Sequence, residues 1–217
     1  MTSGEVARTK ICGITSVPDA LAAKQAGTDA IGLVFYAKSP RNVAEPLARE
    51  IALSVGPFVT VVGLFVDAEQ SAVERCLQSV PLHVLQFHGS ESNEYCRQFQ
   101  RPFIKAIRMA PGLELEPIFD AYPDAAGFIL DAYQPGVPGG TGQRFDWHRF
   151  PNSGARPLIL AGGLNPENIL QALRETTPYG VDVSGGVESA PGVKSAQKVA
   201  DFIRTVKSVS LHKRVAQ

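Results

Sequence analysis

The stretch TKICGITSVPDALAAKQAGTDAIGLVF, residues 9–35, holds three elements in a row. A short apolar run comes first, at 9–12. Residues 18–25 then place apolar side chains at helical spacing, and Gly27 stands where a helix cap is expected. A second apolar run follows at 30–35. Strand, helix and strand in this order make one βαβ unit, which implies parallel strands. The alternation continues outward from it. Apolar runs recur at 59–66, 83–88, 103–107, 127–131, 157–161 and 180–184. Helix-like segments at 44–55, 70–79, 91–99, 166–173 and 195–206 lie between or after them. The segments before the sixth and seventh strands are weaker: 113–122 carries Pro117, and the stretch after Phe145 is short. Unbroken apolar runs such as 59–66 suit a parallel sheet covered on both faces. Eight strands predict an α/β fold, the closed (β/α)8 TIM barrel, as a single domain over residues 1–217 with 212–217 a frayed end. The rival is an open doubly wound sheet, but the first strand lacks the GxGxxG fingerprint of that fold.

The 217 residues suffice for one buried core and fall short of two ordinary domains. Hydrophobic residues make up 44% and charged residues 19%, a globular composition rather than a disordered one. Lys plus Arg and Asp plus Glu both total 21, so the basic excess of a nucleic-acid binder is missing. Residues 1–10 are polar and lack the apolar core of a signal peptide, and no apolar run approaches the roughly 18 residues of a membrane span. The three cysteines, Cys12, Cys76 and Cys96, form neither a CxxC metal pattern nor a disulfide framework. These features point to a reducing cytoplasm, with no nucleic-acid or membrane partner and no metal.

In such barrels the active site lies at the C-terminal ends of the strands. The first strand ends at Cys12, the fourth at His88, the sixth at Asp131, and the second leads into a loop holding Arg41. Lys10 and Cys12 share a face because side chains alternate along a strand. A nearby ammonium favours the thiolate, the form that acts as base or nucleophile, whereas a free Cys by itself is often a small buried hydrophobe. Asp182, on the neighbouring eighth strand, is the expected ion-pair partner of Lys10. Asp131 is either an acid/base group or a loop cap. Arg41 either grips a carboxylate through two hydrogen bonds or is a solvated loop charge. His88 either orients a substrate or satisfies a backbone carbonyl. Cys76 and Cys96 fall in helical stretches and are read as packing residues. Gly162-Gly163-Leu164-Asn165-Pro166 follows the seventh strand, with Asn165 suited to a helix N-cap and Pro166 to the first helical position. Gly162 and Gly163, with Ser184 and Gly185 after the eighth strand, therefore form the expected phosphate-binding pair of loops.

Several blocks carry a family resemblance: Lys-Ile-Cys-Gly-Ile-Thr (10–15), Gly-Leu-Val-Phe-Tyr-Ala-Lys-Ser-Pro-Arg (32–41), Val-Leu-Gln-Phe-His-Gly (84–89), Leu-Asp (130–131), Gly-Gly-Thr-Gly-Gln-Arg-Phe-Asp-Trp (139–147), Leu-Ala-Gly-Gly-Leu-Asn-Pro-Glu-Asn (160–168) and Val-Asp-Val-Ser-Gly-Gly-Val-Glu (181–188). In this order they resemble the phosphoribosylanthranilate isomerases of tryptophan biosynthesis, over about residues 9–206. The resemblance implies an Amadori rearrangement of a phosphorylated ribose bearing anthranilate, without cofactor or metal. It implies Cys12 as general base, Asp131 as general acid, Arg41 on the anthranilate carboxylate, His88 in the substrate pocket and 139–142 as a loop closing over the substrate. One departure stands out: the family often has Ser-Ser-Gly-Val-Glu where this chain has Ser184-Gly185-Gly186-Val187-Glu188. One hydroxyl contact to phosphate is lost, while the Gly185 N–H remains. The related isomerase of histidine biosynthesis, which resembles this family but uses carboxylates for both proton transfers, is disfavoured by Cys12. A barrel that has lost catalysis and binds a partner is disfavoured because Cys12, Asp131, Arg41 and both phosphate loops are all present. The implied partner is a small phosphorylated substrate, and the implied state is a monomer or homodimer.

Overall fold

The computed structural model describes residues 6–132, 146–151 and 156–209. Eight parallel strands close into a barrel: β1 (Arg8–Cys12), β2 (Ala30–Phe35), β3 (Thr60–Phe65), β4 (Val84–Phe87), β5 (Phe103–Arg108), β6 (Gly127–Asp131), β7 (Leu158–Leu160) and β8 (Gly180–Val183). Pairing runs in sequence order, and β8 returns to β1 with Lys10 opposite Asp182. All eight expected strands are present, with no end shifted by more than one residue. The tail at 212–217 and the loop at 139–142 lie outside the described residues.

The outer shell carries α1 (Val17–Ala26), α2 (Glu45–Ser54), α3 (Gln70–Ser79), α4 (Asn93–Arg97), α5 (Glu116–Ala121), α6 (Ile169–Glu175) and α7 (Ala196–Ser208). The first helix shows why these segments form. The Ser16 hydroxyl accepts from the Asp19 N–H at its start, and Gly27 closes its end as predicted, donating to the Ala23 and Lys24 carbonyls. Helices α4, α5 and α6 begin later than their periodicity suggests. The expected helix at 91–99 shrinks to α4, because the Glu91 carboxylate is taken by the Asp67 and Gly89 N–H groups and by Lys105. The expected start at Pro166 moves to Ile169, since 166–168 form a turn before the helix proper. A hairpin that no pattern announced, β9 (Glu188–Ala190) with β10 (Val193–Lys194), follows β8. Between β6 and β7 the described residues hold only a single 3-10 turn, Trp147–Arg149.

Two apolar layers result. Outward-facing strand residues such as Ile11, Ile31, Phe65, Phe87 and Phe128 pack under the helices, with Phe87 meeting Tyr95, Phe99 and Phe103 ring to ring. Cys76 and Cys96 belong to this layer, as packing residues. Inward-facing residues form two small patches inside the barrel, Ala106–Ile129–Ile159–Ala161 and Cys12–Val34–Leu64. Inside, Lys10, Gln86 and Asp182 are the buried polar groups beneath the mouth. No helix among the described residues is long and apolar enough to cross a membrane.

Candidate active site

At the C-terminal ends of the strands a cavity of about 310 Å³ opens. Every candidate catalytic, substrate-binding and phosphate-binding residue lines it: Cys12, Arg41, His88, Asp131, Gly162, Gly163, Ser184 and Gly185. Parity along the strands causes the convergence. Lys10 and Cys12, Gln86 and His88, Ile129 and Asp131 alternate inward in steps of two, so the last inward residue of each strand meets the mouth.

Cys12 sits at the rim of the inner core with 5% of its surface exposed. Its Sγ faces Gly32 on β2, where an added Cβ would approach to 2.8 Å. Beneath it the expected ion pair is present: Lys10 Nζ lies 2.8 Å from Asp182 Oδ1, both buried. Burial pushes the thiol up, Lys10 and Lys194 pull it down, and Asp182 pushes it up again; the net result lies above the ordinary cysteine value of 9.0. Lys10 thus acts in the direction predicted but does not prevail over desolvation. Burial also lowers Lys10, yet Asp182 and Cys12 outweigh it and hold the ammonium above its usual 10.5.

Across the mouth, Asp131 ends β6. Its Oδ1 accepts the Ala132 N–H at 2.8 Å. Oδ2 lies 3.3 Å from His88 Nε2, within ion-pair range but not aligned as a hydrogen bond. His88 Nδ1 meets the Gln86 amide nitrogen at 3.1 Å.

Arg41 reaches in from the loop after β2 and is gripped on arrival. Its Nε and Nη2 donate to the two oxygens of Glu188, both at 2.8 Å, a bidentate fork. Nη1 has no hydrogen-bond partner among the described residues, so part of the fork stays available. Lys194 Nζ, on β10, bonds the same Glu188 at 2.7 Å and approaches the Ser184 carbonyl and hydroxyl at 3.3 and 3.4 Å. Two cations and one carboxylate leave a net positive charge beside the loop after β8. Burial pushes Glu188 up, but hydrogen bonds from Arg41 and Lys194 outweigh it and hold the carboxyl below the usual range. Burial also holds Lys194 below its usual value, against the pull of Glu188.

The two glycine loops pack against each other. Gly162 has φ +83°, and a Cβ there would press on the Ala132 N–H and on Asp131 Oδ1 at 2.5 and 2.9 Å, so only glycine lets β7 end beside the carboxylate. A Cβ on Gly186 would overlap the Leu164 carbonyl oxygen. The N–H groups of Gly163, Leu164, Gly185 and Gly186 donate to no other group among the described residues. The Asn165 side chain accepts from the Glu167 and Asn168 N–H groups, as an N-cap does. The turn it caps keeps those two donors for itself, and the free donors are the four before and across from it.

A family model described as N-(5'phosphoribosyl)anthranilate (PRA) isomerase matches residues 9–205. The chain belongs to this family. Within the PRA isomerases, the chain is 60% identical over 194 residues to the N-(5'-phosphoribosyl)anthranilate isomerase of Cellvibrio japonicus, covering 89% of this chain and 90% of that one. The phosphoribosyl anthranilate isomerase structure from Thermotoga maritima superposes with a TM-score of 0.83 at 37% identity, covering 94% of this chain and all of that one (100%). A phosphoribosyl anthranilate isomerase in complex with reduced 1-(o-carboxyphenylamino)-1-deoxyribulose 5-phosphate superposes with a TM-score of 0.80 at 36% identity, over 94% of this chain and 100% of the other.

Sequence reasoning missed three polar residues of this site: Glu188, Lys194 and Gln86. Glu188 was visible only as the end of a matching block. Lys194 depends on the hairpin, whose one sequence signal is the Pro191-Gly192 turn. Gln86 was visible through its parity with His88 on β4.

Proposed function

We propose that this chain catalyses the Amadori rearrangement of N-(5'-phosphoribosyl)anthranilate to 1-(2-carboxyphenylamino)-1-deoxyribulose 5-phosphate in tryptophan biosynthesis. The observation that carries the proposal is one cavity with a thiol on β1, a carboxylate on β6, a forked cation at one side and unpaired backbone donors on the loops after β7 and β8. The free donors and the positive charge at Lys194 suit the phosphate. Arg41, through Nη1, suits the anthranilate carboxylate. The ribose then spans the gap between Cys12 and Asp131.

Asp131 gives its proton to the ring oxygen, and the furanose opens to a Schiff base. Cys12 as thiolate takes the C2′ proton, leaving an enolamine that tautomerises to the aminoketose. The protons removed and supplied balance within one substrate, so the step requires no redox partner and no hydrolytic water. His88 lines the pocket beside Asp131 and orients the substrate. The thiolate needed for the step runs against the upward push of burial, so the charges of Lys10, beneath the sulfur, and of Lys194, beside the loop after β8, are part of the machinery. The enzyme works in the cytoplasm, a reading supported by three free thiols, and as a monomer or a homodimer.

Turnover measured chromatographically with the anthranilate substrate tests this, with the histidine-pathway substrate as control. Cys12→Ser and Asp131→Asn are each expected to lower kcat by about a thousandfold, in the range of a positioned acid or base. Arg41→Ala is expected to raise KM with a smaller effect on kcat. Near-normal turnover in either of the first two variants rules out the assignment.

A further inference from the structure

We infer that Gln86 is a positioning residue for Asp131: its amide fixes which nitrogen of His88 carries the proton. The inference rests on Asp131 being the acid. Asp131 Oδ1 is committed to the Ala132 N–H, so Oδ2 is the oxygen left for chemistry. The nearest charged or ring group to Oδ2 is His88 Nε2 at 3.3 Å. A neutral imidazole has one donor and one acceptor nitrogen. Once Asp131 has given up its proton its carboxylate only accepts, so Nε2 must then hold the proton and Nδ1 the lone pair. That lone pair needs a donor, and Gln86 is fully buried and His88 nearly so. The Gln86 amide stands 3.1 Å from Nδ1, and its NH2 end fits where its carbonyl end would repel. In this orientation Oε1 meets no partner among the described residues, so the Nδ1 contact is what orients the amide, and the amide in turn holds the tautomer of the ring.

The backbone holds the ring in register. The His88 N–H donates to the Phe65 carbonyl at 2.9 Å, and its carbonyl accepts from Arg108 at 3.3 Å. With Nδ1 held by the amide, Nε2–H faces Oδ2 before and after proton transfer. It is a poor neighbour for the protonated acid and a good donor to the carboxylate that remains.

A long-range proton–nitrogen correlation spectrum of the ligand-free enzyme near neutral pH tests this without any turnover. His88 is assigned by its disappearance in His88→Asn. The expected signature is a protonated Nε2 and an unprotonated Nδ1. Gln86→Leu should mix the two tautomers and lower kcat about tenfold with KM little changed, as loss of an orienting partner typically does. Gln86→Glu, which keeps the shape but presents an acceptor, should draw a proton onto Nδ1. A wild-type ring protonated at Nδ1 overturns the inference, as does a Gln86→Leu or Gln86→Glu ring with the wild-type signature. A failed turnover assay with an intact Nε2–H signature would count against the proposed reaction and leave the tautomer assignment standing.

Discussion

Cys12 decides the pH behaviour at the scale of the single residue. As the proposed base, Cys12 acts deprotonated, and burial holds its thiol above the ordinary 9.0. Activity governed by Cys12 ionisation must therefore rise with pH through and beyond the ordinary cysteine range, rather than level off near neutrality. The dependence of kcat/KM on pH, taken into the alkaline region, checks this; a plateau reached below that range rules it out. Lys10→Gln removes the nearer of the two ammonium groups and should displace the rising limb further upward. Cys12, Lys10 and Asp182 were legible from the sequence because a strand's period of two settles which side chains share a face. The balance between desolvation and the two lysines was not legible, since it depends on depth and on Lys194, which arrives from β10.

Loops and hairpins hold the recognition groups. Glu188 fastens the Arg41 loop to the β9–β10 hairpin, so Glu188→Gln should loosen Arg41 and raise KM while leaving kcat closer to normal. Steady-state kinetics at neutral pH reads the difference, and an unchanged KM would show that Arg41 holds its place alone. The pH sense follows from the depressed carboxyl. Its ion pairs are intact above the ordinary carboxylate range and are lost as pH falls through the lowered value, so KM should rise on acidification. Gly162→Ala strains a left-handed backbone and crowds Asp131, and should cut kcat and stability together by about 1–3 kcal/mol in folding. Thermal unfolding and turnover of that variant provide the check. The glycine loops were legible as motifs. The hairpin was not, because two- and three-residue strands leave almost no periodicity, and α4 starts late because Glu91 spends its carboxylate on Lys105 of β5, a tertiary pairing.

For the whole molecule, closure of the ring is the decisive event. It joins β1 to β8 and buries the Lys10–Asp182 pair at the seam. Removing one partner strands the other in the interior, so Asp182→Asn should cost about 3–5 kcal/mol, while Lys10→Met with Asp182→Leu should recover much of it. Denaturant unfolding of the single and double variants measures both. Lys10 is held above 10.5, so its share of stability is complete at neutral pH and is lost only as pH climbs through the raised value. The barrel was legible in outline because eight apolar runs separated by helical spacing admit few other closed arrangements. Its lean helices were not, since tertiary contacts override local propensity where segments are short.

The Arg41–Glu188 fork joins side chains 147 positions apart, and the Lys10–Asp182 pair spans 172. A ribosome releases the chain from one end only. The thiol of Cys12 thus leaves the ribosome well before its companions, as an ordinary cysteine with no buried lysine below it and no neighbour across a mouth. β8 and the hairpin follow long after it. Ring closure and the burial that shifts the thiol are then acquired in one late step, and a chain short of β8 carries the thiol without the charges that face it in the barrel.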